Sequence, residues 1–251
     1  MLRSGRRQPT FAFAVPHYRQ SLPVTCGPSC LLMAMKTLDR RTKVDRTEEL
    51  NLFREMTTIM WPTDDDIGGC APPSLALAAA RRGFASELWM DWQGGGADPF
   101  KDMSQPKARA RLEVVRLLWR RDLALALKER VRSFKKFPGI KGIEARFNEG
   151  WLPILFVNCT YLHHETDSHY VVITGFDDES FYINDPYVPP KKRKTVTDMT
   201  NRRIPRREFN GIAWDGPKKL RAVVLLRRPG TGATSNGGRV AAMRRSPRRG
   251  S

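Results

Sequence analysis

The 251-residue sequence has no long apolar run and only four cysteines. No segment approaches the ~18 consecutive apolar residues that a membrane-spanning helix needs. The basic N-terminus is not followed by the apolar stretch of a secretion signal, since Phe11–Val15 is short and meets Pro16. We therefore expect a cytoplasmic protein without a membrane span, whose thiols are reduced rather than joined in a disulfide framework.

Motifs for metals and cofactors are also missing. Cys26 and Cys30 have CxxxC spacing, but a zinc site needs two further ligands, and no second Cys/His pair has finger-type spacing. The adjacent His163 and His164 would point to opposite sides of a strand. The sequence predicts neither a metal site nor a cofactor.

Positive charge is abundant, with 44 Lys and Arg against 26 Asp and Glu and a net charge of +18. It is concentrated in residues 1–10 (net +3), 191–207 (net +7) and 229–251 (net +5), and the rest of the chain is nearly neutral. Such runs are typical of solvated, mobile segments. We expect weak, non-specific polyanion contact through the basic tails, and true sequence-specific nucleic-acid binding is the less favoured alternative.

Composition and pattern predict three parts. These are a basic arm (1–12), a folded domain (13–228) and a disordered basic tail (229–251). The domain contains a helical insertion at about 100–140 and a basic loop at 188–207.

Helical patterns come before strand patterns along the folded domain. Helices are predicted from Cys26 to Leu38, over 46–60 with Asp45 as N-cap, over 74–82 ended by Gly83, and over 107–136 with a break at Asp122. Strands are predicted at 151–160, 169–174, 181–185 and 222–226. Helices first and strands later favour an α+β protein with a mainly antiparallel sheet.

Two of these strands are joined by the short segment 175–179 and are predicted to form a hairpin. A turn centred near Asp177 places Ile173 opposite Phe181 and His169 opposite Asp185. Directly opposed residues have Cβ atoms ~5 Å apart, so the carboxylate can bind and orient the imidazole. A slip of one residue would remove this pairing.

Cys26 is the candidate nucleophile for that imidazole. The positive end of a helix dipole favours the thiolate form of a cysteine at the helix start. Gly27 lets a substrate backbone approach closely, and the N–H of Cys26 with the side-chain amide of Gln20 can bind a tetrahedral oxyanion. Each residue alone also has a structural interpretation, and their joint occurrence with His169 and Asp185 is what favours catalysis.

Three motifs, Gln20–Leu31, His169–Gly175 and Asn184–Pro186, together resemble a known enzyme family. It comprises the papain-like cysteine peptidases that remove double-glycine leaders from bacteriocins, cysteine peptidase family thirty-nine. Glu48–Ile59 and Gly68–Phe84 resemble more closely a stand-alone bacterial branch associated with ribosomal-protein-type acetyltransferases.

The resemblance extends over roughly residues 13–187 and implies a papain-like α+β fold. In that fold, N-terminal helices carrying the cysteine pack on a mainly antiparallel sheet carrying the histidine and aspartate. It implies Cys26 as nucleophile, His169 as base, Asp185 as orienting carboxylate and Gln20 as oxyanion donor. It also implies a peptide or protein substrate and a functional link to an acetyltransferase, with no cofactor.

The favoured function is a thiol hydrolase of peptide or isopeptide bonds. The same residues could transfer the acyl group to an amine, as a transpeptidase does. The alternatives are a non-catalytic peptide-binding module of the same fold and a basic protein of nucleic-acid or ribosome surfaces. The gap of 143 residues between Cys26 and His169 is longer than in leader peptidases, so leader specificity is not implied.

Overall fold

The computed structural model describes residues 10–56, 69–92, 106–165, 168–189, 193–214 and 220–228. Predictions for 1–9, the end of the second helix beyond Met56 and the tail 229–251 lie outside these residues. The helices are α1 (Cys26–Leu38), α2 (Arg46–Met56), α3 (Pro72–Arg81), α4 (Pro106–Lys128), α5 (Gly139–Asn148), α6 (Cys159–His163), α7 (Val196–Met199) and α8 (Phe209–Ile212). The strands are β1 (Ala85–Trp92), β2 (Arg132–Phe134), β3 (Leu152–Asn158), β4 (Ser168–Phe176), β5 (Ser180–Asn184), β6 (Arg202–Pro205) and β7 (Leu220–Arg227).

These strands form one seven-stranded sheet in the order β2-β1-β7-β3-β4-β5-β6. Every neighbouring pair is antiparallel except β1 and β2, which are parallel. The predicted mainly antiparallel sheet is therefore confirmed. The last strand in the chain, β7, lies between β1 and β3 near the middle of the sheet.

Helix α1 begins at Cys26, as the sequence predicts, with Pro28 in its first turn, where a missing N–H is tolerated. All residues from Cys26 to Met35 are buried, because α1 packs against β3, β4 and β7 in the middle of the sheet and against α2 and α3. Cys30 donates its S–H to the carbonyl of Tyr170 on β4 at 3.2 Å. These contacts place the start of α1 beside the start of β4.

The ends of α2 and α3 follow the predicted signals closely. Oδ1 of Asp45 accepts the N–H of Glu48 at 2.9 Å and so caps α2. Helix α3 ends at Arg81, and Gly83 follows the C-cap residue Arg82 with a φ of +81°, which suits a residue without Cβ. The N–H groups of Gly83 and Phe84 bind carbonyls of the last turn of α3 at 2.9 and 3.2 Å.

The long basic helix differs from its prediction at both Asp122 and its end. α4 runs through Asp122 without a break and ends at Lys128, since Arg130 takes a left-handed φ of 64°. The residues predicted to continue the helix instead form β2, which pairs with β1, and α5 follows.

Strand β1 was not predicted, because charged residues interrupt its apolar pattern. Glu87 of β1 is fully buried, and its carboxylate forms ion pairs with Arg132 and with Arg146 (3.5 Å). The indole N–H of Trp89 donates to the same carboxylate at 2.8 Å. A buried carboxylate requires ion pairs or hydrogen bonds, and here they come from residues distant in sequence. The local sequence pattern does not reveal these partners.

The β4–β5 hairpin forms, but the predicted register is wrong. Ile173 lies opposite Ile183 rather than Phe181, and Val172 lies opposite Asn184. Nearer the turn the register differs by one residue, since a β-bulge interrupts the pairing at Thr174. The carboxylate of Asp177 accepts the N–H groups of the next turn residues and stabilises the turn.

The basic segment 193–207 is folded onto the sheet rather than free. Its α7 starts with a capping box, and its β6 pairs with β5. Arg206 forms two hydrogen bonds with Glu144 of α5 at 2.8 and 2.6 Å and a third to the carbonyl of Asp177 at 2.7 Å. The Arg206 charge in this basic segment is thus balanced by an acidic partner from a distant element.

The N-terminal segment from Thr10 onward also packs on this side of the sheet. Thr10 pairs with Phe176 through two backbone hydrogen bonds, and Asn184 donates its side-chain N–H to the carbonyl of Val15 at 3.1 Å. The Gln20 N–H donates to the carbonyl of Pro186 at 2.9 Å. The chain entering α1 is therefore attached to the segment that follows β5.

Among the helices that the structure describes, none combines the length and apolar content needed to cross a bilayer.

Candidate active site

Cys26 stands at the first position of α1, with 7% of its surface exposed. Thr25 occupies the N-cap position but makes no side-chain cap hydrogen bond to the helix. The first N–H groups of α1 are therefore not covered by a capping side chain, and the positive end of the helix dipole lies at the cysteine.

His169 reaches Cys26 from the start of β4. Its ring is buried, with 4% exposed, and lies close enough to the Cys26 side chain for the sulfur to act electrostatically on the imidazole. Its Nε2 lies 2.8 Å from Oδ1 of Asp185. Because Nε2 is engaged by the carboxylate, Nδ1 is the ring nitrogen left for the thiol. The imidazole thus connects the sulfur of Cys26 to the carboxylate of Asp185.

Asp185 follows β5 and is fully buried. Its Oδ1 also accepts the N–H of Tyr187 at 3.0 Å, and its Oδ2 lies 2.8 Å from Nε2 of His163. Its backbone is fixed as well, since its carbonyl lies 2.8 Å from Nε2 of His17 and its N–H donates to the carbonyl of Met199 at 2.9 Å. Several elements therefore hold this carboxylate in one orientation.

The site is a chain of contacts between three side chains. Cys26 lies at a helix start, His169 lies on a strand, and the carboxylate of Asp185 orients the imidazole. Residues 15–227, most of the sequence, match the family described as Peptidase_C39 like family. The chain belongs to the Peptidase_C39 like family. A comparison of this sequence with curated proteins finds no match.

Solved structures similar to this Peptidase_C39 like protein include a protein assigned as a C39-like peptidase from Bacillus anthracis. The two share 14% identity with a TM-score of 0.51, over 88% of this chain and 99% of the other. A double glycine motif protease from an AMS/PCAT transporter, solved in complex with the leader peptide, is 16% identical with a TM-score of 0.41, over the same shares. The first likeness confirms the predicted papain-like α+β fold.

Burial and charge act against each other at the two buried partners. Burial alone would lower the pKa of His169, but the negative charge of Asp185 and the contact with Cys26 raise it to about 10. Burial alone would raise the pKa of Asp185, but His169 and His163 hold it well below its ordinary value. Both shifts favour an imidazolium next to a carboxylate at neutral pH.

Gln20 is buried in the loop before α1, and its side chain is already engaged. Its Nε2 donates to the carbonyls of Leu22 and Pro23 at 2.8 and 2.9 Å, which uses both amide hydrogens. Its Oε1 is buried and has no hydrogen-bond partner among the described residues. The amide reaches a substrate oxyanion only by giving up one of these two bonds.

The sequence analysis missed His163, which α6 brings to Asp185. It expected a strand at Cys159–Thr160, whereas β3 ends at Asn158 and the chain turns into α6 there. The side chain of Asn158 caps this helix by accepting the N–H of Thr160 at 2.7 Å. An Asn directly after an apolar strand is a helix-start signal that could have revealed the turn.

Gly27 serves a different purpose from the predicted one. A Cβ at this position would overlap the sulfur of Cys70 and lie 3.3 Å from Leu75 and 3.4 Å from Tyr170. The space beside Gly27 is therefore filled by the protein itself rather than left for a substrate backbone.

His163, His169 and Asp185 also offer ligand atoms within 4.8 Å of one another, close enough to hold a metal ion. Each imidazole, however, faces a different oxygen of the carboxylate at 2.8 Å, a normal hydrogen-bond distance. Hydrogen bonding accounts for the arrangement, so we assign no metal ligand here.

Proposed function

We propose that this protein is a cysteine peptidase, a thiol hydrolase of peptide or isopeptide bonds. The observation that carries the proposal is the continuous chain of contacts from Cys26 through His169 to the buried Asp185. Membership of the Peptidase_C39 like family supports it. A purely structural histidine–aspartate pair has no reason to end at a cysteine at an uncapped helix start.

In the proposed reaction Cys26 is the nucleophile, and His169 transfers the protons. Cys26 attacks the substrate carbonyl as a thiolate, and the His169 imidazolium then gives its proton to the leaving amine. Water, deprotonated by His169, attacks the thioester, and the carboxylic acid leaves while the thiol is restored. An amine in place of water gives the transpeptidase outcome, which uses the same residues.

The oxyanion of the tetrahedral intermediate is bound at the start of α1. The N–H of Cys26 and the helix dipole face this position. We propose Gln20 as the second donor, which exchanges its hydrogen bond to Leu22 or Pro23 for one to the substrate.

Asp185 orients His169, and we propose that His163 holds Asp185 in turn. His163 occupies Oδ2 and leaves Oδ1 for His169. Tyr187 packs edge-on against the His163 ring at 4.9 Å between ring centroids. His163 is thus a positioning residue, two contacts away from the sulfur.

The proposed nucleophile is tested by labelling with a panel of peptidyl electrophiles near pH 7. We expect wild type to be labelled once and Cys26→Ala not at all. Burial raises the pKa of the Cys30 and Cys70 thiols well above the ordinary value, so both stay protonated and unreactive.

The matched controls are Cys30→Ala, Cys70→Ala and Cys159→Ala, which should keep wild-type labelling. Labelling that persists in Cys26→Ala would overturn the nucleophile assignment. Cleavage of a peptide mixture by unlabelled wild type, lost once Cys26 is labelled, distinguishes an enzyme from a binding module of the same fold.

Three finer expectations remain predictions of the sequence. They are the functional link to an acetyltransferase, the cytoplasmic location and weak polyanion contact through the basic tails. Co-purification with an acetyltransferase would support the first, and salt-sensitive RNA retention that is lost on deleting 229–251 would support the third.

A further inference from the structure

Glu49 is a fully buried carboxylate that the proposed reaction does not use. It lies in the first turn of α2, where the helix dipole favours a negative charge. Among the described residues no cation forms an ion pair with it, so its burial is compensated by hydrogen bonds alone.

Four donors surround this carboxylate. Oε2 accepts the hydroxyl of Tyr18 at 2.8 Å, and Oε1 accepts the N–H of Ser21 at 2.7 Å. Oε1 also contacts the hydroxyl of Thr25, at short range, and that of Ser29 at 3.3 Å. All four lie in residues 18–29, the segment that contains Gln20 and Cys26. Glu49 therefore ties the whole segment to α2 at one point.

Thr25 shows what this contact changes at the helix start. A threonine at an N-cap position ordinarily binds an N–H of the first turn of its helix. Here the Thr25 hydroxyl lies instead against Glu49 and the carbonyl of Leu22, and α1 has no side-chain cap. The first N–H groups of α1, beside Cys26, are left for another acceptor.

We infer that Glu49 is a positioning residue for the oxyanion site, an inference that rests on the proposed function. It holds the segment 18–29 in place and keeps the Thr25 hydroxyl away from the helix start, so that a substrate oxyanion meets the free N–H groups there. The described partners of Glu49 are Tyr18, Ser21, Thr25 and Ser29, and neither Cys26 nor His169 is among them. We therefore expect a substitution of Glu49 to leave the contact between Cys26 and His169 in place.

The test compares two reagents on the full-length chain. Peptidyl acyloxymethyl ketones react through a tetrahedral oxyanion, whereas iodoacetamide alkylates a thiol directly without one. In Glu49→Gln we expect labelling by the ketones to slow by about tenfold or more. Alkylation of Cys26 by iodoacetamide should stay within about twofold of wild type, because the thiol–imidazole pair is intact.

Glu48→Gln is the matched control, since Glu48 is the preceding residue of α2 and, among the described residues, its side chain accepts a hydrogen bond from Asn51 at 3.3 Å rather than from the segment 18–29. Both rates should be unchanged in it. A second pair, Thr25→Val and Thr25→Ser, tests the anchoring of the segment alone. The valine loses the hydroxyl contact with Glu49 and cannot cap α1, so it should slow the ketones selectively because the segment is no longer held in place. The serine keeps the hydroxyl and should react like wild type.

Each remaining result has one meaning. The inference is overturned if the ratio of the ketone rate to the iodoacetamide rate in Glu49→Gln equals that of wild type. If Glu49→Gln does not fold, the inference is overturned when this ratio is the same in Thr25→Val and Thr25→Ser. Rates that fall together by the same factor would show a general structural role and overturn it too. Wild type that reacts with iodoacetamide but with none of the ketones would overturn the proposed peptidase function, and the inference with it.

Discussion

At Asp185 one buried carboxylate binds two imidazoles and the backbone N–H of Tyr187, while the backbone carbonyl of the same residue binds His17 in the segment that leads to α1. Arg202 lies only 3.9 Å from the same carboxylate and donates to the carbonyl of Leu162 in α6 at 3.2 Å. A buried negative charge is tolerated when every lone pair has a partner. The site therefore depends on residues that contact no substrate.

The raised pKa of His169 predicts a pH-dependent stability. Since the folded pKa (about 10) lies above the ordinary 6.5, the stabilisation is complete below pH ~6.5 and is lost as pH rises towards 10. The free energy of unfolding of wild type should exceed that of His169→Gln by a margin that shrinks over this range. The change is on the order of 1.4 kcal/mol for each unit by which the pKa is raised.

Urea denaturation of both proteins at pH 6 and pH 10 measures this margin. His164→Asn is the control, because His164 is exposed and its left-handed backbone conformation tolerates asparagine. A margin that is constant with pH, or that grows, would show that His169 is not stabilised as an imidazolium.

At the scale of elements, the bulge at Thr174 determines whether Asp185, after β5, lies on the same face of the sheet as His169 of β4. Extending the observed register by one position puts Asp185 level with Val171, on the same face as His169 and diagonal to it. The register found near the turn would put Asp185 on the opposite face. The sequence prediction was displaced by two residues, which preserves the face, so the residues still met.

Helix α3 offers a test of a predicted element end. Gly83→Ala places a Cβ in a left-handed conformation, with φ at +81°, although no atom lies within 4 Å of that Cβ. We expect a loss of about 1 kcal/mol in the free energy of unfolding, from backbone strain alone. Thermal or urea unfolding measures it.

Gly211→Ala is the matched control, since its Cβ also meets open space but its backbone is helical. It should be neutral or slightly stabilising. Labelling of Cys26 should be unchanged in both variants, because neither residue contacts the site. Equal effects of the two substitutions would contradict the assigned role of Gly83.

At the scale of the whole molecule, β7 joins the two halves of the sheet. It pairs with β1 over eight residues and with β3 over four, and its residues from Ala222 to Leu226 are buried. Within the described part of the sheet, strands β1 and β2 connect to the strands of the candidate site through β7. Folding of the domain therefore requires nearly the whole chain.

Removing residues 220–251 should abolish cooperative unfolding, whereas removing 229–251 should leave the melting temperature close to that of wild type. The physical reason is that the first deletion takes away buried apolar surface on both sides of β7. Differential scanning calorimetry with near-ultraviolet circular dichroism distinguishes the two. A cooperative transition in the shorter chain would show that β7 is dispensable.

Much of the site was predictable because its signals are local. The pattern around Cys26 marks a buried helix start, and the alternation through His169 marks a strand with that histidine on the face of Val171 and Ile173. Asp185 was found because a hairpin brings nearby residues together. Gly83 and Asp45 were read correctly from turn and cap chemistry, which depends on a few adjacent residues.

His163, Glu49 and the buried Glu87 were beyond such reasoning, because each is stabilised by partners distant in sequence. The sequence by itself determined where α1 begins, which strands alternate and which residue types are available for thiol chemistry. Only the tertiary structure decided that β7 enters the middle of the sheet, that α6 turns a second imidazole onto Asp185, and that Glu49 binds the segment before Cys26. Strand order and burial bring these groups together, and neither is encoded in any short stretch of residues.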